Sequence, residues 1–211
     1  MDNSLNSMKS LVAYCLVVVL GLFFCPVRGT PQETTVETLV CFRHAEKPPE
    51  GLGQLTCQGL NRSLALPKVL LSKYGRPQFI FAPNPSQKVR DKGGEFYYVR
   101  PLVTVEPTAI KCGLPVQLPF GYKEIDDLQD ELLRPKYQST MVFVSWEHLN
   151  LDKFARRLMT ALGGDPQLIS KWPDDDYDRI YVFKITRQNG HVKISFRQDQ
   201  EHLNHLSTAY P

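Results

Sequence analysis

Leu39-Val40-Cys41-Phe42-Arg43-His44-Ala45-Glu46-Lys47 is the stretch on which the fold turns. Its four successive apolar residues are followed by the turn-forming Pro48-Pro49-Glu50-Gly51-Leu52-Gly53, which gives the length and boundary of a buried strand. A strand apolar on both faces belongs inside a sheet covered by helices on both sides. Its carboxyl end, the edge where open α/β sheets hold ligands, receives Arg43 and His44. A guanidinium and an imidazole placed there suit an anionic group, phosphate first. An Arg-His pair alone is ordinarily a solvated strand end, and what gives this one weight lies farther along the chain.

Downstream, Thr56 is placed to cap a helix carrying Leu60, Leu64, Leu71 and Tyr74 on one side, with Pro67 expected to kink or divide it. Gln78 to Ala82 reads as the next strand, and residues 84–96, polar and glycine-bearing, as a long loop. Pro101 fits the first turn of a helix ending at Gly113, with a bend expected at Pro107. Ile125, Leu128 and Leu132 have helical spacing. Thr140 to Ser145 is the cleanest strand, and Leu151, Phe154, Ala155, Leu158, Met159 and Leu162 trace a helix with Asn150 as N-cap and Gly163 beyond its end. Arg179 to Ile185 and His191 to Phe196 form a hairpin across Gln188-Asn189-Gly190. Strands alternating with helices predict an α/β fold. The expected form is a three-layer α/β/α sandwich with a mostly parallel sheet and an antiparallel C-terminal edge hairpin.

The 211 residues carry a formal charge of +3, which gives no reason to expect a nucleic-acid partner. Leu11 to Cys25 is almost unbroken in its apolarity, yet shorter than the roughly 20 residues a membrane span needs. With Lys9 before it and Pro26-Val27-Arg28-Gly29 after it, the run predicts a secretory signal peptide over 1–29, cleaved after Gly29. A single domain over 30–211 then remains, secreted or periplasmic, with no stable membrane insertion. Loss of Asp2, Lys9 and Arg28 takes the charge to +2. Three cysteines remain, an odd number that rules out a disulfide scaffold; one bridge, Cys57 to Cys112, is the most plausible pairing. Their spacing matches no metal site, and no cofactor is expected. Oligomeric state has no signature in the chain.

Two predicted strands end alike: the first in Arg43-His44, the other through Trp146-Glu147 into His148, just ahead of a helix. If the strands are neighbours, both imidazoles converge, and the helix N-terminus adds amide donors and a positive dipole end. Each histidine alone is explained well enough by a structural role; the pair at matching strand ends is what points to a site.

Over most of the chain beyond the leader, these motifs resemble the histidine phosphatase superfamily, the phosphoglycerate-mutase-like fold. Arg43-His44 matches its Arg-His signature, Leu55-Thr56-Cys57-Gln58-Gly59 its Leu-Thr-x-x-Gly, and Arg100 to Pro107 its Arg-x-x-x-Thr-x-x-Pro helix. Trp146-Glu147-His148 matches the segment of the second histidine. Arg-His-Ala-Glu-Lys followed by Trp-Glu-His is most similar to a secreted subgroup, not to the mutases. Arg100 comes later than in many members, past an apparent insertion, and Lys88 and Arg90 rival it for the second cation.

The resemblance implies a metal-independent phosphomonoester hydrolase in which His44 is the nucleophile and forms a phosphohistidine. Arg43, Arg100 and His148 would hold the phosphoryl group of a phosphorylated small molecule. Glu147, Glu124 and Glu46 are the candidate proton donors, although strand alternation turns Glu147 away from His148 and each has an ordinary surface explanation. Lys47 and Lys88 are candidate substrate-binding cations. The alternative is a non-catalytic secreted binder of phosphorylated or other anionic ligands. Asp174-Asp175-Asp176-Tyr177-Asp178 lacks the ligand spacing of a calcium loop and reads as a solvated turn. Asn61-Arg62-Ser63 fits the N-glycosylation pattern but falls on a predicted helix, and His202 and His205 fall in a polar tail expected to be disordered.

Overall fold

In strand β1 (Thr35–Arg43) Leu39 and Cys41 face one side of the sheet, Val40 and Phe42 the other, and all four are fully buried. The computed structural model describes residues 33–211, so the proposed leader lies outside the described residues. The remaining strands are β2 (Phe79–Phe81), β3 (Lys88–Asp91), β4 (Gly94–Tyr97), β5 (Val116–Gln117), β6 (Met141–Trp146), β7 (Arg179–Gln188) and β8 (His191–Gln200). Six of the strands form one sheet in the order β5-β2-β6-β1-β7-β8. The first four run parallel, while β7 is antiparallel to β1 and β8 to β7.

Helices α1 (Cys57–Tyr74) and α2 (Arg100–Cys112) cover one face, packing Leu66, Leu70, Val105 and Ala109 on Val40, Phe42, Ile80 and Phe143. On the other face, α3 (Ile125–Leu132) and α4 (His148–Ala161) pack Ile125, Leu128, Leu151, Phe154 and Leu158 on Leu39, Cys41, Val142 and Val144. The three layers and the antiparallel edge are as the sequence predicts. Asn189 and Gly190, at φ +51° and +78°, make the left-handed turn that the closing hairpin requires. Among the described residues, no helix is long and apolar enough to cross a membrane.

Several expectations are corrected. Residues 84–96 are not simply a loop: β3 and β4 pair as a separate antiparallel ribbon. Val89 opposite Phe96 is its only apolar pair, so it has no apolar face for periodicity to reveal. Helix α1 runs unbroken through Pro67, and α2 through Pro107; the tertiary packing of each helix outweighs the one backbone bond its proline removes. The buried face of α1 consists of Gly59, Arg62, Ser63, Leu66, Pro67 and Leu70, while Leu64 is exposed. That stripe was hidden because it contains an arginine and a serine.

Cys41, Cys57 and Cys112 are free thiols. Thr56 and Cys57 gather with Val99 and Val103 around one pocket, whereas Arg76, just past α1, donates to the Cys112 carbonyl at the end of α2. The two helices therefore run side by side in the same direction, with Cys57 and Cys112 at opposite ends, which accounts for the missing bridge. The C-terminal tail is ordered and crosses α1. Asn61 Nδ2 donates to the Ser207 and Ala209 carbonyls at 2.9 and 2.8 Å, and Glu201 is buried. The glycosylation pattern thus has its amide engaged and its serine buried.

Two buried carboxyls give stability a pH dependence. Burial pushes Glu37 up to about 7 against the pull of Arg187, and pushes Glu201 up to about 8 against the pull of Arg62. Each keeps one oxygen unpaired. An acid raised on folding binds its proton more tightly in the native state, so its stabilising contribution is full below the unfolded value and is lost as pH rises through the folded one. The melting temperature is therefore expected to fall between about pH 5 and 8 and to level off above that, and Glu201→Gln to flatten the fall. Calorimetric melts across this window check it; a melting temperature that rises would contradict it.

Candidate active site

The carboxyl ends of β1 and β6 lie side by side, Arg43 opposite Trp146, and the His44 amide donates to the Trp146 carbonyl at 2.9 Å. This register brings the two predicted strand ends together. A cleft of about 510 Å³ opens there, lined by Arg43, His44, Lys47, Arg90, Asp91, Arg100, Tyr122, Glu147, His148 and Asp174.

His44 is 2 % exposed, and its Nδ1 lies 2.8 Å from the Ala45 carbonyl. A carbonyl oxygen only accepts, so Nδ1 carries the proton and Nε2 keeps its lone pair. Burial, then the charges of Arg100 and Arg43, hold the imidazole well below its ordinary pKa. The ring is therefore neutral at physiological pH, the form a nucleophile needs.

The two arginines are held in matching ways. Arg43 donates through one terminal nitrogen to the carbonyls of Asp174 and Asp176 at 2.7 and 3.1 Å, with its guanidinium 4.0 Å from the Tyr177 ring centre. Arg100, the first residue of α2, donates to Asp91 Oδ2 at 2.7 Å and to the Gly51 carbonyl at 3.2 Å, over the ring of Tyr98. Both leave a buried Nε without a partner, as does Nδ1 of His148. Unpaired buried polar atoms cost about 1–3 kcal/mol each. The two arginine side chains line one cleft, and a pair of fixed guanidinium groups there gives it a positive field suited to an anion.

The motifs have physical roles. Thr104, one turn after Arg100, donates to the Arg100 carbonyl at 2.8 Å and accepts from the Ala45 amide at 2.9 Å, tying α2 to the peptide behind His44. The Thr56 amide donates to the Glu46 carbonyl, and the Thr56 hydroxyl accepts from Gly59 at 3.1 Å. A Cβ on Gly59 would come within 2.5 Å of that same Glu46 oxygen, so only glycine lets α1 approach so closely.

The N-cap of α4 is Glu147, not Asn150: its carboxylate accepts from the amides of Leu149 and Asn150, both at 2.9 Å. Strand β6 ends at Trp146, so alternation does not apply to Glu147, and it shares the cleft with His148. Burial acts to raise the Glu147 carboxyl, but His148 and the two amides together hold it below the usual range. His148 is the first residue of α4, its Nε2 2.9 Å from Asp174 Oδ1. Its Nδ1 lies 2.7 Å from Glu147 Oε1 but out of line for a hydrogen bond.

Other candidates go elsewhere. Glu46 pairs with Arg62 at 2.7 Å, and Glu124 accepts from Gln87 and the Gly121 amide. Lys88 lies over Tyr97, outside the cleft lining, while Lys47 and the exposed Arg90 line it. The acidic run is not a free turn: it anchors Arg43, places Asp174 on His148 and buries Asp178 against Arg62. Asp91, Asp174, Tyr98 and Tyr177 are site residues that the sequence reading did not single out. Among the described residues, no group of three or more His, Cys, Asp or Glu side chains is placed to hold a metal ion.

No protein-family model matches the chain, and no curated protein matches it. Solved structures do. A protein from Nakamurella multipartitia assigned as phosphohistidine phosphatase SixA is 14 % identical with a TM-score of 0.50, covering 80 % of this chain and 98 % of its own. The complex of mycobacterial glucosyl-3-phosphoglycerate phosphatase with inorganic phosphate is 12 % identical with a TM-score of 0.51, covering 77 % and 95 %. This chain shares the phosphoglycerate-mutase-like fold of these two phosphatases.

Proposed function

We propose that the protein is an exported phosphomonoester hydrolase, secreted or periplasmic, that acts on a phosphorylated small molecule through a phosphohistidine on His44. The observation that carries this reading is a neutral imidazole, proton-tagged at Nδ1, in one cleft with two buried arginines held by their own hydrogen bonds. A phosphomonoester brings about −1.5 to −2 charges. Arg43 and Arg100, locked by their outer nitrogens, meet it without reorganising, and His148 adds a third contact. His44 Nε2 then attacks phosphorus, and water hydrolyses the phosphohistidine in a second step. The similar fold of two phosphatases supports the reading.

Purified protein is expected to hydrolyse 4-nitrophenyl phosphate in the presence of a chelator, with inorganic phosphate as a competitive inhibitor. A second reading, a non-catalytic binder of phosphorylated or other anionic ligands, is favoured by one finding: Glu46, Glu124 and Glu147 are all committed to other partners. Calorimetric binding of inorganic phosphate with no turnover of any phosphomonoester would establish that reading instead.

A further inference from the structure

Three carboxylates line the cleft, and two of them are spent. Asp91 accepts from the Gly53 amide at 2.9 Å and from both terminal nitrogens of Arg100 at 2.7 and 3.4 Å, with its side chain 6 % exposed. Glu147 has both oxygens on the first amides of α4. Asp174 differs: only Oδ1 is engaged, by His148 Nε2 at 2.9 Å, and its side chain is 87 % exposed. Its main chain is nevertheless fixed, because its carbonyl accepts from Arg43 at 2.7 Å. One residue therefore anchors a cleft-lining arginine through its backbone while presenting a free carboxylate oxygen on the solvent-exposed part of the cleft lining.

We infer that Asp174 is the general acid and base of the reaction, protonating the leaving oxygen and then deprotonating the hydrolytic water. This rests on the phosphatase reading above. In the first step the Nε2 lone pair of His44 forms the N–P bond, the P–O bond to the leaving group breaks, and its electron pair takes the Asp174 proton. In the second, water forms a new O–P bond, its proton goes to the Asp174 carboxylate, and the N–P electron pair returns to Nε2. The residue thus starts and ends the cycle protonated. In this structure His148 holds the Asp174 carboxyl below its ordinary range. A phosphoryl dianion gripped by Arg43 and Arg100 sets a like charge against it, and that raises a carboxyl pKa.

Asp174→Asn tests this, since the amide keeps both an acceptor for His148 and the main-chain carbonyl for Arg43. Phenyl phosphate and 2,4-dinitrophenyl phosphate share an aryl phosphate core and differ in leaving-group basicity. Turnover of phenyl phosphate is expected to fall about 10²- to 10³-fold, the usual worth of a positioned proton donor. The pre-steady-state burst with dinitrophenyl phosphate, whose phenolate leaves unprotonated, is expected to fall far less, and phosphoenzyme to accumulate. Equal losses on the two substrates, or undiminished phenyl phosphate turnover, would overturn the role of Asp174 and leave the phosphatase reading standing. A parent protein that turns over neither ester, or turnover that survives His44→Ala, would overturn the phosphatase reading and this role with it.

Discussion

His44→Ala is expected to abolish phosphatase activity, lowering kcat/KM on 4-nitrophenyl phosphate by more than about 10⁴-fold, as removal of an activated nucleophile does. The parent protein mixed with labelled aryl phosphate and quenched in alkali should carry one acid-labile phosphoryl group, and the variant none. Binding should separate from chemistry. The Ala45 amide on Thr104, Asp91 and the Asp174 carbonyl hold the two arginines and their surroundings without help from the imidazole. Inorganic phosphate affinity by calorimetry is therefore expected to stay within about tenfold, because the nucleophile supplies none of the charge that grips the anion. Retention of the parent rate by the variant would remove His44 from the mechanism. Loss of phosphate binding together with activity would mean that the imidazole scaffolds the cleft.

How much of this was legible varies with the physics behind each feature. Strands β1 and β6 were readable because an apolar run between turn signals has few other solutions. The convergence of His44 and His148 followed once the two strands proved to be parallel neighbours. Pro101 and Gly113 marked the ends of α2 through backbone constraints that sequence states outright. What could not be read is contact through atoms every residue shares. Arg43 is held by the carbonyls of Asp174 and Asp176, and a carbonyl leaves no trace in the sequence. The acidic run reads as solvated because charge is written in the sequence and the backbone contacts of Asp174 and Asp176 are not. Asp91 was missed for a related reason: its ribbon has no apolar face, so the carboxylate that orients Arg100 lay inside what looked like a loop. Glu147 took the capping role assigned to Asn150 because a glutamate following a strand can turn back onto the amides that open the next helix.

Arg62→Met is expected to be the most destabilising substitution outside the apolar core, costing about 3–5 kcal/mol, the penalty for leaving buried charges without their partner. Arg62 is fully buried and meets three carboxylates: Glu46 at 2.7 Å, Asp178 at 3.1 Å and Glu201 at 2.6 Å, with Asn204 at 2.9 Å besides. These belong to separate pieces of the chain. Glu46 lies two residues beyond His44, Asp178 closes the acidic run that anchors Arg43, and Glu201 begins the tail that crosses α1. The guanidinium therefore joins the two walls of the cleft as well as the C-terminus to the body. Methionine matches the volume of the stem but leaves at least two excess negative charges in a dry site. With total stabilities of about 5–15 kcal/mol for proteins generally, urea denaturation at pH 7 would show a large fraction of the native margin gone. The sign of the pH dependence distinguishes this from a packing defect. Glu201 already prefers its proton, up to about 8, with Arg62 beside it; without Arg62 the cluster is relieved by taking up protons, so the deficit of the variant should shrink as pH falls from 8 to 5. Arg62→Lys is expected to recover only part of the loss, because a single ammonium lacks the planar fork that reaches all three carboxylates. If Arg62→Met matched the parent at pH 7, or lost the same stability at pH 5 as at pH 8, the cluster would not be what clamps the cleft walls together.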